Sequence, residues 1–550
     1  MGWRVAGRAQ PVTLWRRPGA ISALGLALAI GLLLLAGGAI AALMMAAGAG
    51  SGGLSTQAAA YIRHVTLLTF LQASLSAVLA LSVAILVARS CWRRAMEWRA
   101  RYLLLFSFLP VVLPTTVAAT GLIAVWGQSG FVSAMLTAAG MPPLRPIYGL
   151  GAVLLAHVFF NAPLMLRVLS GALAGIPAAQ WRLAAQWGLS DWQRFRQIEW
   201  PALRRVIPGL LALVFLLCFT SFSLVLMLGG GPSVTTLEVS IYTALRFEFD
   251  MALAGRLALL QLVVCAVIVV LLTMVTGRSW SGGAGHAGRH VTQRGDQGLA
   301  ARLTDGVVIG GFVVLAVVPV AAVIWHGIGP HLGTILAWPA LWQATVTSLV
   351  IAIVSGGLAT GVALVIAAAR TRRFGAGLAV WPLDLSISLY LAVSAIVLGT
   401  GLFILLRQVA DVFALAPALV VLGNMLVALP FAYRVLEGRL SSLATSHDRL
   451  CASLGIRGWR RFRQVTLPAL FPELGYAAGL SSALSLGDLT IIALFGSQQF
   501  QTLPWLLYQT MGRYRAAEAA ALAFWILGLT LATFAICVLA ARLAGRRHHA

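Results

Sequence analysis

Long apolar runs recur along the chain, separated by short polar stretches that hold nearly all of the arginine. A helix rises about 1.5 Å per residue, so ~20 apolar residues are enough to cross ~30 Å of hydrocarbon. Twelve runs meet that length, at 20–46, 66–88, 102–126, 148–170, 206–228, 252–276, 306–326, 344–368, 385–406, 413–435, 474–496 and 517–541. They are continuous and lack the alternation of barrel strands, which predicts helices. The expected fold class is an all-α polytopic membrane protein of about twelve transmembrane helices.

Arginine placement gives the orientation. With the N-terminus in the cytoplasm, 32 of the 39 arginines fall on the inner side. Seven (Arg63, Arg145, Arg246, Arg256, Arg407, Arg513 and Arg515) fall outside. That asymmetry is the positive-inside pattern, and it predicts a multi-pass inner-membrane protein with both termini cytoplasmic. The first run is about twice the length of a signal-peptide core, which predicts a retained anchor. Composition agrees: of 550 residues, 10% are charged and 60% hydrophobic, too little polar surface for a soluble domain and too much apolar character for disorder. The net charge of +24 is spread over loops and forms no patch on a soluble domain, so a nucleic-acid partner is not expected. No lysine occurs, which excludes a P-loop ATPase within this chain. Cys91, Cys218, Cys265, Cys451 and Cys537 lie in spans or on the inner side at no metal-ligand spacing, and are expected as free packing thiols.

The chain repeats itself. A shift of 267 places 161–203 on 428–470 with 18 identities in 43 positions, many of them Trp, Phe, Gln, Arg and Pro. Gly188, Trp192 and Arg194-Phe195-Arg196-Gln197 match Gly455, Trp459 and Arg461-Phe462-Arg463-Gln464. A shift of 266 then aligns Gly230, Thr236 and Tyr242 with Gly496, Thr502 and Tyr508. An even number of spans separates the copies, so two parallel six-span halves are expected, with a pathway between them. The organisation read from this is 1–60, N-terminus and first span; 61–276, first repeat domain; 277–304, a Gly/Ser/Arg/His-rich linker; 305–343, span seven and an outer loop; 344–541, second repeat domain; and 542–550, the tail. His286 and His290 in the linker have no common metal-site spacing.

The best-matched segment lies in a loop, where lipid packing cannot explain it. In the first copy Pro177 opens a short helix, Gly188 suits its left-handed closure, and Ser190 or Asp191 can cap a second helix before Pro201 interrupts. In the second copy Thr445 or Ser446 can cap, Gly455 closes and Pro468 interrupts. An amphipathic anchor on anionic headgroups needs no fixed Gly-to-Pro spacing, yet that spacing is 13 in both copies, which favours a transverse helix for docking a partner.

This pattern resembles the EAA loop of bacterial type I ABC importer membrane domains: Glu-Ala-Ala, a Gly, and a Pro thirteen residues later. In that family the loop forms a coupling helix seated in a groove of a cytoplasmic ATPase. The Glu-Ala-Ala positions fall on Arg182, Leu183 and Ala184, and on Arg449, Leu450 and Cys451; Gly188, Pro201, Gly455 and Pro468 match the frame. Arg stands in place of Glu in both copies. The segments 218–250 and 485–515 resemble, more narrowly, the fused permeases of thiamine importers, and the resemblance covers about 60 to 541. It implies a non-enzymatic permease for thiamine, with its phosphates as further cargo, served by two cytoplasmic ATPase subunits and a periplasmic thiamine-binding protein. ATP is then used by the partner, and this chain holds no cofactor and no metal. Fused ferric iron permeases share the coupling loops and are the nearest alternative; a secondary transporter is a further one, and it leaves the loop repeat unexplained.

Charges inside spans carry the remaining chemistry. Asp488, with Ser485 nearby, is read either as a pathway carboxylate for a cationic cargo or as a structural hydrogen-bond acceptor. Glu238, Glu248 and Asp250 are expected in an outer loop, facing a binding protein or simply solvated. His157 reads as a satisfied bundle histidine, and Trp126, Trp381 and Trp505 as an interfacial belt.

Overall fold

The structure, a computed structural model, describes residues 20–49, 55–94, 113–128, 130–143, 148–231, 234–276, 298–372, 380–456 and 458–549. The expected linker residues 277–297, with His286 and His290, lie outside the described residues. Among the described residues there is no strand. The main helices of the first part are α1 (Ala20–Ala49), α2 (Thr56–Arg93), α3 (Thr115–Trp126), α4 (Leu150–Ala174), α5 (Ala178–Gln186), α6 (Ile207–Phe219), α7 (Leu237–Arg246) and α8 (Met251–Thr276). Those of the second are α9 (Leu299–Gly327), α10 (Pro339–Arg372), α11 (Trp381–Ala392), α12 (Ala395–Arg407), α13 (Ala416–Ser453), α14 (Leu467–Gly487), α15 (Leu503–Gly512) and α16 (Ala516–His549).

Among the described residues nine helices are long and apolar enough to cross a membrane, and eleven when each of two bent pairs is taken as one span. Eleven of the twelve expected runs map onto described helices, three of them broken; of the run 102–126 only 113–126 is described, with a helix over Thr115–Trp126, and 102–112 lie outside the described residues. Run 206–228 is α6 followed by Ser223–Leu228, and run 474–496 is α14 followed by Thr490–Phe495. Run 385–406 is α11 and α12, which meet at 102°. Hydropathy does not register these breaks, because each consists of only a few residues in an apolar context.

Each part sends its first helix across to the other. α1 packs on α10 and α12 as well as α8, and α9 packs on α2 and α3 as well as α16. Small residues make these approaches close, as they do wherever helices associate without a hydrophobic driving force. A Cβ on Gly401 would lie 2.7 Å from the Ala39 carbonyl oxygen, and one on Gly121 would lie 2.5 Å from that of Pro319. The Tyr390 hydroxyl donates to the Leu32 carbonyl at 2.7 Å.

The duplication is visible in space. The amide of Leu237, first residue of α7, donates to Thr69 Oγ1 at 3.0 Å, and that of its counterpart Leu503, first residue of α15, donates to Ser348 Oγ at 2.8 Å. Ser223 and Thr490, related by the shift of 267, face each other with hydroxyls 3.4 Å apart. A residue can meet its own repeat counterpart only on the pseudo-twofold axis, so this contact marks where the two halves join.

Gly401→Val should push α1 off α12. The expected effect is a loss of about 1–3 kcal/mol, read as a lower melting temperature in detergent.

Candidate functional site

In the first loop α5 begins after Pro177 and ends at Gly188, whose φ of +61° is left-handed. The amide of Leu189 reaches back to the Ala184 carbonyl at 3.0 Å, and that of Gly188 to Ala185 at 3.2 Å, closing the helix as a Schellman end. Ser190 then caps the next turn with a full capping box: Gln193 N–H donates to Ser190 Oγ at 3.4 Å and Ser190 N–H to Gln193 Oε1 at 2.8 Å. Trp181 and Ala184 turn inward, while Arg182, Leu183 and Trp187 face out, Trp187 72% exposed.

The second loop keeps the end of this device and loses its beginning. Gly455 has φ +67°, and Ile456 N–H reaches the Cys451 carbonyl at 2.9 Å. Cys451 is buried like Ala184, and Leu450 and Leu454 are exposed like Leu183 and Trp187. No separate capped helix exists here, contrary to the expectation at Thr445 and Ser446, because α13 runs unbroken to Ser453. The first copy has Gly175-Ile176-Pro177 to stop α4; the second has Ser442-Leu443-Ala444, which contains no breaker. The Arg449 side chain lies outside the described residues.

Pro201 and Pro468 do not interrupt their helices. Each occupies the second position of a helical stretch that directly follows a π-turn, at Phe195–Glu199 and Phe462–Thr466. Trp200 N–H bonds the Phe195 carbonyl and Leu467 N–H that of Phe462, one residue further back than in an α-helix. Proline has no N–H to give and its ring crowds the carbonyl four residues back; the extra residue of a π-turn relieves both.

The first loop is clamped to the bundle by arginines of α2. Arg89 Nε meets Glu199 at 3.2 Å, Arg89 Nη2 donates to the Asp191 carbonyl at 3.0 Å, and the guanidinium lies 4.5 Å over the Phe195 ring. Arg93 bonds Asp191 at 3.0 Å and also Asp305 of α9, and Arg94 bonds Asp305 at 2.6 Å. Burial pushes the Glu199 carboxyl above its usual value, against the downward pull of Arg89. In the second half Arg370 pairs with Asp384 and Glu437 instead.

Both expected pathway residues make hydrogen bonds within the bundle. Ser485 Oγ is 2.9 Å from Ser355 Oγ and accepts from Asn424 Nδ2 at 2.8 Å, joining α10, α13 and α14. The counterpart cluster in the first half has His157 Nδ1 at 2.9 Å from Ser76 and 2.7 Å from Gln72, while His157 Nε2 is buried with no partner among the described residues, so His157 is a bundle histidine satisfied at one ring nitrogen only. Asp488 sits in the break after α14, where its two oxygens accept from Thr490 N–H at 3.2 Å and Ile491 N–H at 3.0 Å. It is a helix cap. Glu238 departs from both outer-loop readings: it is fully buried, whereas Glu248 and Asp250 are exposed. Trp505 is buried too, so of the expected belt it is an interior residue, unlike the exposed Trp381.

Residues 80–279 match the family described as "Binding-protein-dependent transport system inner membrane component". The thiamine transport system permease protein ThiP of Brucella abortus (strain 2308) is 41% identical over 96% of this chain and 96% of its own length. The protein of that name from Escherichia coli (strain K12) is 40% identical over 86% of this chain and 88% of its own. A putative ferric transport system permease protein of Haemophilus influenzae is 25% identical over 67% and 60%. The chain belongs to the thiamine-type permeases of ABC importers. As a transport permease it is not an enzyme, and its family implies a partner ATPase and a periplasmic binding protein.

Asp305→Asn should weaken the hold on both Arg93 and Arg94. Removing one partner of a buried pair costs about 3–5 kcal/mol, so the expected result is a lower melting temperature in detergent than for Arg439→Ala at the more exposed pair with Glu473.

Proposed function

We propose that this chain forms the translocation pathway for thiamine, and for thiamine phosphates, across the inner membrane, with both termini cytoplasmic and with two ATPase subunits docked at the two Gly-closed loops. The cargo reading is carried by the near full-length similarity to permeases named for thiamine transport; the ferric relative matches less of the chain at lower identity. The docking reading is supported by a repeated surface. Leu183 with Trp187, and Leu450 with Leu454, are apolar pairs four residues apart, exposed on one helix face just before a left-handed glycine. Such i, i+4 pairs are what an amphipathic helix lays into a groove. Thiamine is a cation delivered by a soluble protein, and alternating access then needs only that ATP-driven closure of the partner subunits moves these helix ends.

The direct test is reconstitution in liposomes with the ATPase and the binding protein. Thiamine-loaded binding protein should stimulate ATP hydrolysis and drive thiamine uptake, and an iron-loaded one should do neither; the reverse outcome would assign the chain to iron. For the loops, space is open around both glycines, so the constraint is conformational. A β-branched residue at positive φ costs about 1–2 kcal/mol, while asparagine tolerates it. Gly188→Val with Gly455→Val should lose ATPase co-purification, and the matching Asn variants should keep it. Equal recovery of all four would sink the docking role.

A further inference from the structure

Three carboxylates are buried among the described residues, and two of them, Glu199 and Asp305, are paired with arginine. Glu238 is not. It stands in the first turn of α7, which packs on α8 of its own half and on α12 and Thr490–Phe495 of the other. Its Oε1 accepts from Gln261 Nε2 of α8 and from the hydroxyl of Ser394, both neutral donors. Its Oε2 has no partner among the described residues. The arginine about two turns on, Arg246, is turned the other way, donating to the Gly496 carbonyl and lying 5.5 Å over the Phe413 ring. Arg256 of α8 reaches the Ala47 carbonyl of α1 at 3.2 Å.

Ser394 is itself a joint. It lies at the 102° bend between α11 and α12, and its Oγ also accepts from Ile396 N–H at 3.2 Å to cap α12. The contact between Glu238 and Ser394 therefore holds the two halves together at a point where one of them is bent. A carboxylate enclosed by neutral groups lacks a countercharge, and a cation brought alongside supplies it. Sliding of the halves that withdraws Ser394 would uncover the carboxylate toward the interface where a pathway is expected.

Resting on the thiamine reading above, we propose that Glu238, rather than Asp488, is the pathway carboxylate that receives the organic cation, with Ser394 covering it when the halves are closed. Asp488 is unsuited because both its oxygens are taken by backbone amides. Tyr242, one turn along α7, has its ring 5.3 Å from that of Phe222, and this pair would give a cation a second favourable surface.

The test uses the reconstituted importer. Glu238→Gln keeps size and hydrogen bonding but removes the charge, and should lower thiamine uptake at least about tenfold while co-purification with the ATPase stays at wild-type yield. Glu238→Asp should restore most of the uptake. A packing role makes the opposite prediction: Gln is tolerated and the shorter Asp is not, and that pattern would overturn the proposal. Carbodiimide labelling of Glu238, mapped by mass spectrometry, gives a readout that does not depend on cargo identity. The side chain should become modifiable during ATP turnover and be protected by choline, a simple organic cation. No labelling under turnover, or labelling unaffected by choline, overturns the site even if thiamine uptake is normal. Absence of thiamine uptake by the wild type alongside choline-protected labelling would instead refute the cargo and leave the cation site standing.

Discussion

A helix that ends inside hydrocarbon leaves amides and carbonyls bare, each at a cost of several kcal/mol, and no water is present to satisfy them. This constraint decides where polar side chains occur in the interior of the permease. α7 and α15 begin in protein-enclosed surroundings, and their leading amides are met by Thr69 and Ser348 from neighbouring helices. Thr490–Phe495 is capped by Asp488, and α12 by Ser394. Short oxygen-bearing side chains thus accompany these helix starts, whereas Ser223–Leu228 begins at Phe222 without a side-chain cap.

The halves share this frame but not their charges. Ser76, His157 and Cys218 gather in one half and Ser355, Asn424 and Ser485 in the other, at corresponding places in the bundle. The carboxylates are single: Glu238 corresponds to Pro504, Glu199 to Thr466 and Asp488 to Ser221. Each neutral cluster draws its hydrogen bonds from within its own half. A buried carboxylate has no such guarantee, since its energy depends on a countercharge or donor supplied from elsewhere. Glu238 takes its donors from both halves, and Asp305 takes its arginines across the same divide. Asymmetry is therefore concentrated at the contacts that a rocking motion would change.

Much of this was legible in the chain. Apolar length gave the spans, and the shift of 267 gave the halves, because both are recorded in residue identity. Gly188 and Gly455 could be read as left-handed closures since glycine in that setting has few other uses. The second loop was misread because its cap candidates Thr445 and Ser446 are equally compatible with a continuing helix, and only the absent proline told otherwise. The π-turns before Pro201 and Pro468 have no composition of their own; the signal was the proline itself, six residues beyond a repeated phenylalanine. Glu238 was invisible as an interior group because Gln261 and Ser394 are 23 and 156 residues away in sequence.

The difference between the two loops has a mechanical consequence. α13 is 38 residues long, about 57 Å, and carries the second glycine-closed end as a direct extension of a membrane helix. A displacement there tilts the span itself. In the first half the chain bends by 61° between the loop segment and α6, and α5 is cut from α4 by Gly175 and Pro177, so neither junction transmits bending stiffly. What transmits is the arginine clamp: Asp191 and Glu199 pass load to α2, and Arg93 and Arg94 pass it on through Asp305 to α9, a helix of the second half. On the docking reading, equal pushes at the two loops would reach the bundle by unequal routes, one along a single continuous helix that holds Pro430 and one through ion pairs that already bridge the halves. Such an arrangement couples the halves to each other as well as to their drive.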